Sequence, residues 1–164
     1  MDIYARGILT EDDFTPELML DARIPLDQVT PKLFKALDLL EPFGQGNPEP
    51  VFAAMDVRIA APPRILKDKH VKFKLGVSQT AVTGHEGNQQ WRKSITFDAL
   101  AWRMAERVEK EKLLAGDALE VAFTVGHNDH PEFGGLELTV CDFKVSGRQA
   151  PATKEIEPQS AAAN

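Results

Sequence analysis

The sequence predicts a mainly β domain with a helical segment in front of it. Before residue 40 the apolar residues recur at helical spacing, whereas from Val51 they alternate with polar residues, as on half-buried strands. The alternation is interrupted between residues 104 and 114, where the pattern indicates a short helix. Five strands with a helix between the third and the fourth is the order of a small oligonucleotide-binding (OB) barrel. An SH3-like barrel or an open meander is also compatible with this order.

The bulk composition fits one modest domain with an appendage. The chain has 164 residues, 43% of them hydrophobic, which is enough for one packed core. No apolar run approaches the roughly 18 residues of a membrane span, and no export leader is visible. Cys141 is the single cysteine, so we expect neither an intrachain disulfide nor a cysteine zinc site. These features predict a cytoplasmic protein without a membrane partner.

The charge distribution is uneven along the chain. The net charge is −6, which by itself argues against a nucleic-acid partner. Residues 1–50, however, carry ten acidic and four basic side chains, whereas acids and bases balance in residues 51–164. Residues 57–75 contain six basic side chains and a single acidic one, Asp68. The acidity therefore belongs to the leading segment, and one stretch of the second part is distinctly basic.

The leading segment shows one short extended stretch and one helix. Residues 18–26 predict an extended piece, which Pro25 restricts to a sheet edge. Thr30 and Pro31 predict a helix start, because threonine caps helix N-termini and proline suits the first position. The helix then presents an apolar stripe and is stopped by Pro42. The stripe consists of Leu33, Phe34, Leu37 and Leu40.

Five alternating stretches follow, and each predicts one strand. The first covers residues 52–60 and ends at a turn predicted at residues 61–63. The second covers residues 70–75, and residues 76–90 predict a long turn. The third covers residues 93–102, with Ile95, Phe97, Ala99 and Ala101 in phase. The fourth and fifth contain the in-phase apolar residues Leu119, Val121, Phe123 and Val125, and Leu136, Leu138 and Val140. We interpret Phe73, Phe97 and Phe123 as core, and Trp102 as core at a strand end.

The connector between the two parts, residues 40–52, is rich in proline and glycine. Such a composition excludes a helix or sheet interior and predicts a rigid elbow. A second interpretation is that its exposed amides also meet a phosphate backbone, as glycine-rich turns can. The candidate residues of this elbow are Pro42, Phe43, Gly44, Gly46, Asn47, Pro48 and Pro50.

The elbow, Leu-Glu-Pro-Phe-Gly-x-Gly-Asn-Pro-Glu-Pro-x-Phe, resembles a signature in the C-terminal part of the RecJ family of single-strand-specific DNA exonucleases. In that family it leads from the DHH-associated domain into an OB domain. Weaker matches follow in the same order: residues 70–72, residues 99–102, Asn128 with Gly134, and residues 136–142. The resemblance covers roughly residues 12–144 and implies an OB fold.

The catalytic motifs of the family are absent from this sequence. It contains neither the Asp-His-His triplet nor the Gly-Gly-His motif. The resemblance therefore implies the C-terminal part of a RecJ-like protein, without catalytic residues or cofactor of its own. Mg²⁺ or Mn²⁺ is expected only on the catalytic domain, which this chain lacks. The loop residues His127, Asn128, Asp129 and His130 include plausible metal ligands, but one loop rarely completes a site, and we predict no metal there.

The basic stretch is the best candidate for a binding site. OB barrels bind single strands with a basic groove and aromatic faces, although most charge runs are simply solvated. Lys72 and Lys74 alternate with the predicted core residues, so both are expected to be solvent-exposed. Trp91, which is followed by the basic residues Arg92 and Lys93, is a plausible residue for stacking on a nucleobase or for packing within a hairpin. The predicted nucleic-acid-binding residues are Arg64, Lys67, Lys69, His70, Lys72, Lys74, Trp91, Arg92 and Lys93.

The sequence predicts three segments and leaves two alternative functions open. Residues 1–50 are predicted as a helical linker at the end of a DHH-associated domain, residues 51–145 as the OB domain, and residues 146–164 as a disordered tail. The resemblance implies a single-stranded DNA-binding accessory domain of a 5′–3′ exonuclease in DNA repair and recombination. Its partners would be single-stranded DNA and the catalytic domains. The alternative is a structural or protein-interaction module that docks the nuclease core or another repair protein.

Overall fold

Alternating apolar residues form the strands of a curved, mainly antiparallel sheet that closes on itself. The computed structural model describes residues 17–77, 95–130 and 134–148. A 3₁₀ turn, Leu26–Gln28, follows the first strand. The elements are β1 Ala22–Arg23, α1 Pro31–Asp38, β2 Phe52–Leu66, β3 His70–Val77, β4 Thr96–Ala101, α2 Ala105–Glu111, β5 Ala118–Asn128 and β6 Gly135–Gly147.

Strands β2 to β6 form a closed five-stranded barrel. β2 pairs antiparallel with both β3 and β5, and β3 pairs antiparallel with β4. The circuit is completed by the parallel pair β4–β6 and the antiparallel pair β6–β5. Helix α2 lies between the third and fourth barrel strands. The predicted OB-type barrel is therefore confirmed, and the open meander is excluded.

The inward side chains fill the barrel as the alternation predicts. Phe73 and Phe123 are 1% and 0% exposed, and Phe97 is also buried, so the three phenylalanines predicted as core are confirmed. A buried polar residue, Asp117, sits before β5, and its carboxylate accepts a hydrogen bond from the amide of Leu114 at 3.0 Å. That bond offsets the cost of burying a charged group.

Two arginines link helix α2 to the barrel, and one of them, Arg148, donates to the carbonyl of Glu111 at 2.9 Å. Arg107 pairs with Asp142 and donates to the backbone carbonyl of Phe143. Its guanidinium also lies 4.3 Å from the centroid of the Phe143 ring, as in a cation–π contact. The predicted helix, residues 104–114, is shorter in the structure because Lys112 has a left-handed conformation that ends it.

The turn predicted at residues 61–63 is wrong. β2 runs through both prolines to Leu66, with register shifts between Ile59 and Ala61 and again between Ala61 and Arg64. Proline is tolerated in a strand at such irregularities, because the missing amide is not needed for the ladder there. The chain instead turns at residues 67–69.

The prediction for β4 is wrong at both ends. Ile95 precedes the strand and is 43% exposed, and Trp102 follows it and is 54% exposed. Ala99 and Ala101 are completely buried, so the two-residue period of a strand directs Leu100 and Trp102 outward. The long turn predicted at residues 76–90 is wrong for its first two residues, because β3 extends to Val77. Residues 78–90 lie outside the described part of the chain.

The segment before the barrel packs against it. Thr30 caps α1 by accepting a hydrogen bond from the amide of Leu33 at 3.2 Å, as predicted. β1 is an edge strand that pairs in parallel with the start of β2. Leu26 and Val29 are 2% and 4% exposed and belong to the barrel core. No helix in the described ranges is long and apolar enough to span a membrane.

Candidate nucleic-acid interface

Five cations lie on β2, β3 and the turn between them, and we call this surface the basic face. Its residues are Arg64, Lys67, Lys69, Lys72 and Lys74. Arg64 is directly opposite Lys72 in the β2–β3 register, and Lys74 lies two residues further along β3. Because Val71 and Phe73 point into the barrel, the lysines of β3 point outward. Adjacent strands thus bring cations that are distant in sequence onto one surface.

Lys72 differs from the other cations of the basic face. Its ammonium lies 3.0 Å from a carboxylate oxygen of Asp98 on β4 and 3.9 Å from one of Glu137 on β6. Only 32% of the Lys72 side chain is exposed, so Lys72 is half-buried and not solvent-exposed as predicted, whereas Lys74 is exposed. The cause is the parallel β4–β6 pair, which places Asp98 opposite Glu137. These two acids neutralise the part of the basic face that lies nearest to β6.

The remaining four cations are exposed. Among the described residues, Arg64, Lys67, Lys69 and Lys74 form no ion pair. The turn that carries Lys67 and Lys69 is well defined, because the Lys69 amide donates to Leu66 O and the Lys69 carbonyl accepts from the amide of Ala105, each at 3.2 Å. Lys67 and Asp68 both have left-handed backbones, with φ of 49° and 56°. The turn therefore presents its two lysines from a fixed backbone.

An exposed tryptophan stands at the end of this surface. The Trp102 ring makes an edge contact with the His70 ring, with centroids 4.7 Å apart and planes at 76°. His70 also accepts a hydrogen bond at Nδ1 from the backbone amide of Arg103 at 3.1 Å. His70 was predicted as a binding residue, whereas Trp102 was missed. The period of β4 contained the signal, because Trp102 has the outward parity of Asp98 and Leu100.

The second predicted group of binding residues is not located by the structure. Trp91, Arg92 and Lys93 lie outside the described residues. Their assignment as binding residues remains a prediction from the sequence.

The elbow is folded onto itself around Asn47. The amides of Gly44 and Asn47 donate to each other's carbonyls at 2.8 and 3.1 Å. The Asn47 side-chain amide also donates to the carbonyls of Leu40, at 2.7 Å, and Pro42, at 3.1 Å. The Gly44 and Asn47 amides are consequently satisfied within the elbow, which favours the rigid connector over phosphate binding.

Neither steric crowding nor a left-handed backbone requires the two glycines of the elbow. At Gly44 and Gly46 an added Cβ would meet no atom within 4 Å, and neither residue has a left-handed backbone. The fixed geometry of the elbow therefore comes from the hydrogen bonds of Asn47 and from its prolines. The side chains of Phe43 and Pro50 are half-buried.

The end of β5 and the residues after it contain short-range contacts rather than a site. His127 and Asn128, which were predicted in a loop, belong to β5. His127 Nδ1 lies 2.7 Å from a carboxylate oxygen of Asp129, and Asn128 accepts from the amide of His130 at 3.0 Å. Phe34 of α1 packs on His127, with ring centroids 5.8 Å apart. Within the described ranges, no three His, Cys, Asp or Glu side chains are placed to hold a metal ion.

An apolar patch lies on a different part of the barrel. Leu18, Leu20 and Met55, which we call the apolar patch, are 44%, 46% and 45% exposed and line a cleft of about 230 Å³. Charged residues, such as Arg23 and Glu120, line the same cleft. Such a patch is larger than a single exposed hydrophobic residue and is typical of a contact surface.

Sequence and structural comparisons identify the barrel. The RecJ OB domain family matches residues 20–142. The chain belongs to the RecJ OB domain family. This membership confirms the resemblance that the elbow predicted, and the match begins before the barrel, so the family includes the segment of Leu26 and Val29 that packs on it.

Solved structures of RecJ have a similar fold. RecJ from Thermus thermophilus in complex with Mn²⁺ is 25% identical, with a TM-score of 0.56 over 91% of this chain. The same protein in complex with Mg²⁺ gives the same identity and TM-score. The chain spans only 18% and 19% of those two RecJ chains.

A more distant likeness is to a mitochondrial single-stranded DNA-binding protein from S. cerevisiae. It is 11% identical over 62% of this chain and 99% of that protein, with a TM-score of 0.46. This similarity is too low to support an argument about function. No curated protein sequence matches the chain.

Proposed function

We propose that this RecJ OB domain binds single-stranded DNA as the accessory domain of a RecJ-like 5′–3′ exonuclease that acts in DNA repair and recombination. The observation that carries the proposal is the basic face, on which four of the five cations are exposed, on a barrel of this family. OB barrels bind oligonucleotides on the face of their second and third strands and on the loop between the first two. In this chain those elements are β3, β4 and the turn at residues 67–69.

The proposed mechanism is electrostatic and contains no chemical step. Cations on a single surface neutralise successive phosphates and release their counterions, which gives binding that depends on salt and not on sequence. The domain would hold the strand and guide it to a metal site on another domain, where Mg²⁺ or Mn²⁺ would support hydrolysis. In this proposal the hydrolytic chemistry belongs to the catalytic domains of the nuclease.

The proposal also divides the chain into three segments and places the protein in the cytoplasm. Residues 1–50 would join the barrel to the DHH-associated domain, residues 51–145 would form the OB domain, and the remaining residues would form a tail. β6 carries the barrel two residues further, to Gly147. The partners would be the catalytic domains of the nuclease and single-stranded DNA, in the cytoplasm.

Fluorescence anisotropy of a labelled oligothymidylate tests the proposal. The full chain is titrated at about 50 mM and about 200 mM salt, and an unlabelled duplex of the same length serves as competitor. We expect saturable binding that weakens steeply with salt and that the duplex competes for poorly. Failure to bind at the lower salt concentration would refute the proposal.

The apolar patch favours a second candidate function. A docking module would bury Leu18, Leu20 and Met55 against the nuclease core or another repair protein, and the basic face would be incidental. Met19, beside the patch, is 86% exposed. Binding through apolar surface depends little on salt, so the salt series separates this function from DNA binding. A domain that binds no oligonucleotide but binds its catalytic partner equally at both salt concentrations would have the docking function.

A further inference from the structure

Among the described residues, Trp102 is the large aromatic residue with an exposed side chain, and it lies at the edge of the basic face. It follows β4 and is 54% exposed, whereas the phenylalanines of the same sheet are almost completely buried. A single exposed hydrophobic residue needs no explanation by itself. The position of Trp102 is informative because its ring contacts His70 and because exposed cations, Lys69 and Arg103, adjoin these two residues in the chain.

The ring of Trp102 contacts His70, and the backbone of Arg103 in turn fixes His70. His70 contacts the Trp102 ring edge to face, and the amide of Arg103 fixes the His70 ring by donating to Nδ1 at 3.1 Å. Arg103 has a left-handed backbone with φ of 57°, so the chain turns sharply directly after the tryptophan. A side chain that is already positioned loses little conformational freedom when a ligand binds, which favours affinity.

Exposed cations lie near the Trp102–His70 pair, in the turn at residues 67–69 and at Arg103. His70 is the next residue after Lys69, and in the β2–β3 register it lies opposite Leu66, near the exposed Arg64. The turn with Lys67 and Lys69 is joined to the start of α2 by the bond from the Ala105 amide to the Lys69 carbonyl. An aromatic face beside several phosphate-binding cations is the combination that proteins use for single-stranded nucleic acid.

We propose that Trp102 is a stacking platform for one unpaired nucleobase, and that Lys67 and Lys69 contact the phosphates beside that base. The inference rests on the proposed DNA-binding function and adds the selectivity for single strands. In a duplex both faces of each base are covered by neighbours, so a base must be unpaired and unstacked to lie on the indole. Stacking involves the π-face that all bases share, so the site discriminates strandedness and not sequence.

The test uses four forms of the full chain and two oligonucleotides. Trp91→Phe leaves Trp102 as the single tryptophan, and quenching of its fluorescence by oligothymidylate reports contact with a base. Trp102→Ala, Trp102→Phe and the wild type are compared by anisotropy. The second oligonucleotide has the same phosphate backbone but lacks bases. Circular dichroism and thermal melting establish that each variant is folded, as expected for an exposed position.

The expected results separate stacking from phosphate binding. Trp102→Ala lowers the affinity for oligothymidylate about 5- to 150-fold, and Trp102→Phe retains most of it. Neither variant changes the salt dependence, because no charge is removed. The wild type binds the base-free strand less tightly than oligothymidylate, and Trp102→Ala does not weaken binding of the base-free strand further.

Different outcomes overturn the inference and the function. If the wild type binds oligothymidylate with steep salt dependence but Trp102→Ala binds equally well, the stacking site is refuted and the DNA-binding function stands. Equal affinity for the two oligonucleotides, or unquenched Trp102 fluorescence at saturation, also refutes the stacking site. If the wild type binds neither oligonucleotide, both the function and the stacking site are refuted.

Discussion

Neutralising the turn between β2 and β3 should lower both the affinity for single-stranded DNA and its dependence on salt. The perturbation is the double substitution Lys67→Gln and Lys69→Gln. Both lysines are exposed, and neither forms an ion pair with another described residue. Glutamine keeps a long polar side chain, and Lys67 already adopts its left-handed backbone without glycine. The substitutions should therefore change stability by no more than about 0.5 kcal/mol.

The magnitude follows from the number of exposed cations. For single strands the logarithm of the binding constant falls by about 0.7 per phosphate contact for each tenfold rise in salt. Four contacts, from Arg64, Lys67, Lys69 and Lys74, predict a slope of about −2.8, and the double variant a slope of about −1.4. Between about 50 and 200 mM salt, the affinity should fall about 50-fold for the wild type and about 7-fold for the variant.

A matched control removes the same charge elsewhere. Lys32 and Lys35 are exposed on α1, which packs near His127 and away from the turn. Lys32→Gln with Lys35→Gln should leave the slope at the wild-type value in the same anisotropy titrations. An unchanged slope for the turn variant, with binding retained, would refute the assignment of the turn as a phosphate contact. Equal losses in both double variants would indicate long-range attraction and no local site.

Four further predictions concern the carboxylates, the core, the elbow and the cysteine. Asp98→Asn with Glu137→Gln frees Lys72 and should raise the affinity for single strands, steepening the salt slope by about 0.7; a weaker affinity would exclude this face from the DNA path. Phe73→Ala should destabilise the fold by about 3–5 kcal/mol in urea unfolding, because Phe73 is buried and packs on Phe143 with centroids 6.1 Å apart; a loss as small as that of Trp102→Ala would contradict this. Asn47→Ala should cost about 1 kcal/mol and speed hydrogen exchange at the Gly44 amide, whereas Gln45→Ala should not; equal exchange in both would assign the elbow's rigidity to its prolines. Burial, with Glu49 and Asp142 nearby, raises the pKa of the Cys141 thiol, so iodoacetamide should label it more slowly than the unfolded chain at mildly alkaline pH; an unshifted rate profile would contradict that cause.

The parts of the fold that depend on local pattern were predictable from the sequence. Alternation located the strands, and Phe73 and Phe123 are core because they share the parity of their aliphatic neighbours. The Thr30 cap follows from side-chain chemistry that acts over three residues. The elbow signature then selected the OB barrel among the compatible folds, and the match of the RecJ OB domain family to residues 20–142 confirms that choice.

The features that the sequence did not predict depend on contacts between distant strands. Nothing near Lys72 in sequence indicates that Glu137 lies 3.9 Å away, because the contact needs the parallel pairing of β4 and β6. The prolines at positions 62 and 63 predicted a turn. Proline is tolerated inside β2 because the register with β3 is irregular there, and that register cannot be recognised from the local sequence. Trp102 is a different case, since its outward parity was readable but was outweighed by the usual preference of tryptophan for the interior.

The distribution of charge on the barrel explains how an acidic chain can present a DNA-binding surface. Asp98 and Glu137 neutralise Lys72, and Asp98 also lies opposite Lys74 in the β3–β4 register, whereas the exposed Lys67, Lys69 and Arg103 lie at the turn end of β3. A strand attracted to the turn would therefore be repelled from the β6 side, where the carboxylates lie. At physiological salt the Debye length is about 8 Å, so the acidic residues of the leading segment are screened at longer distances. The local arrangement, and not the net charge of −6, then decides where a strand binds, and it favours a path past Trp102.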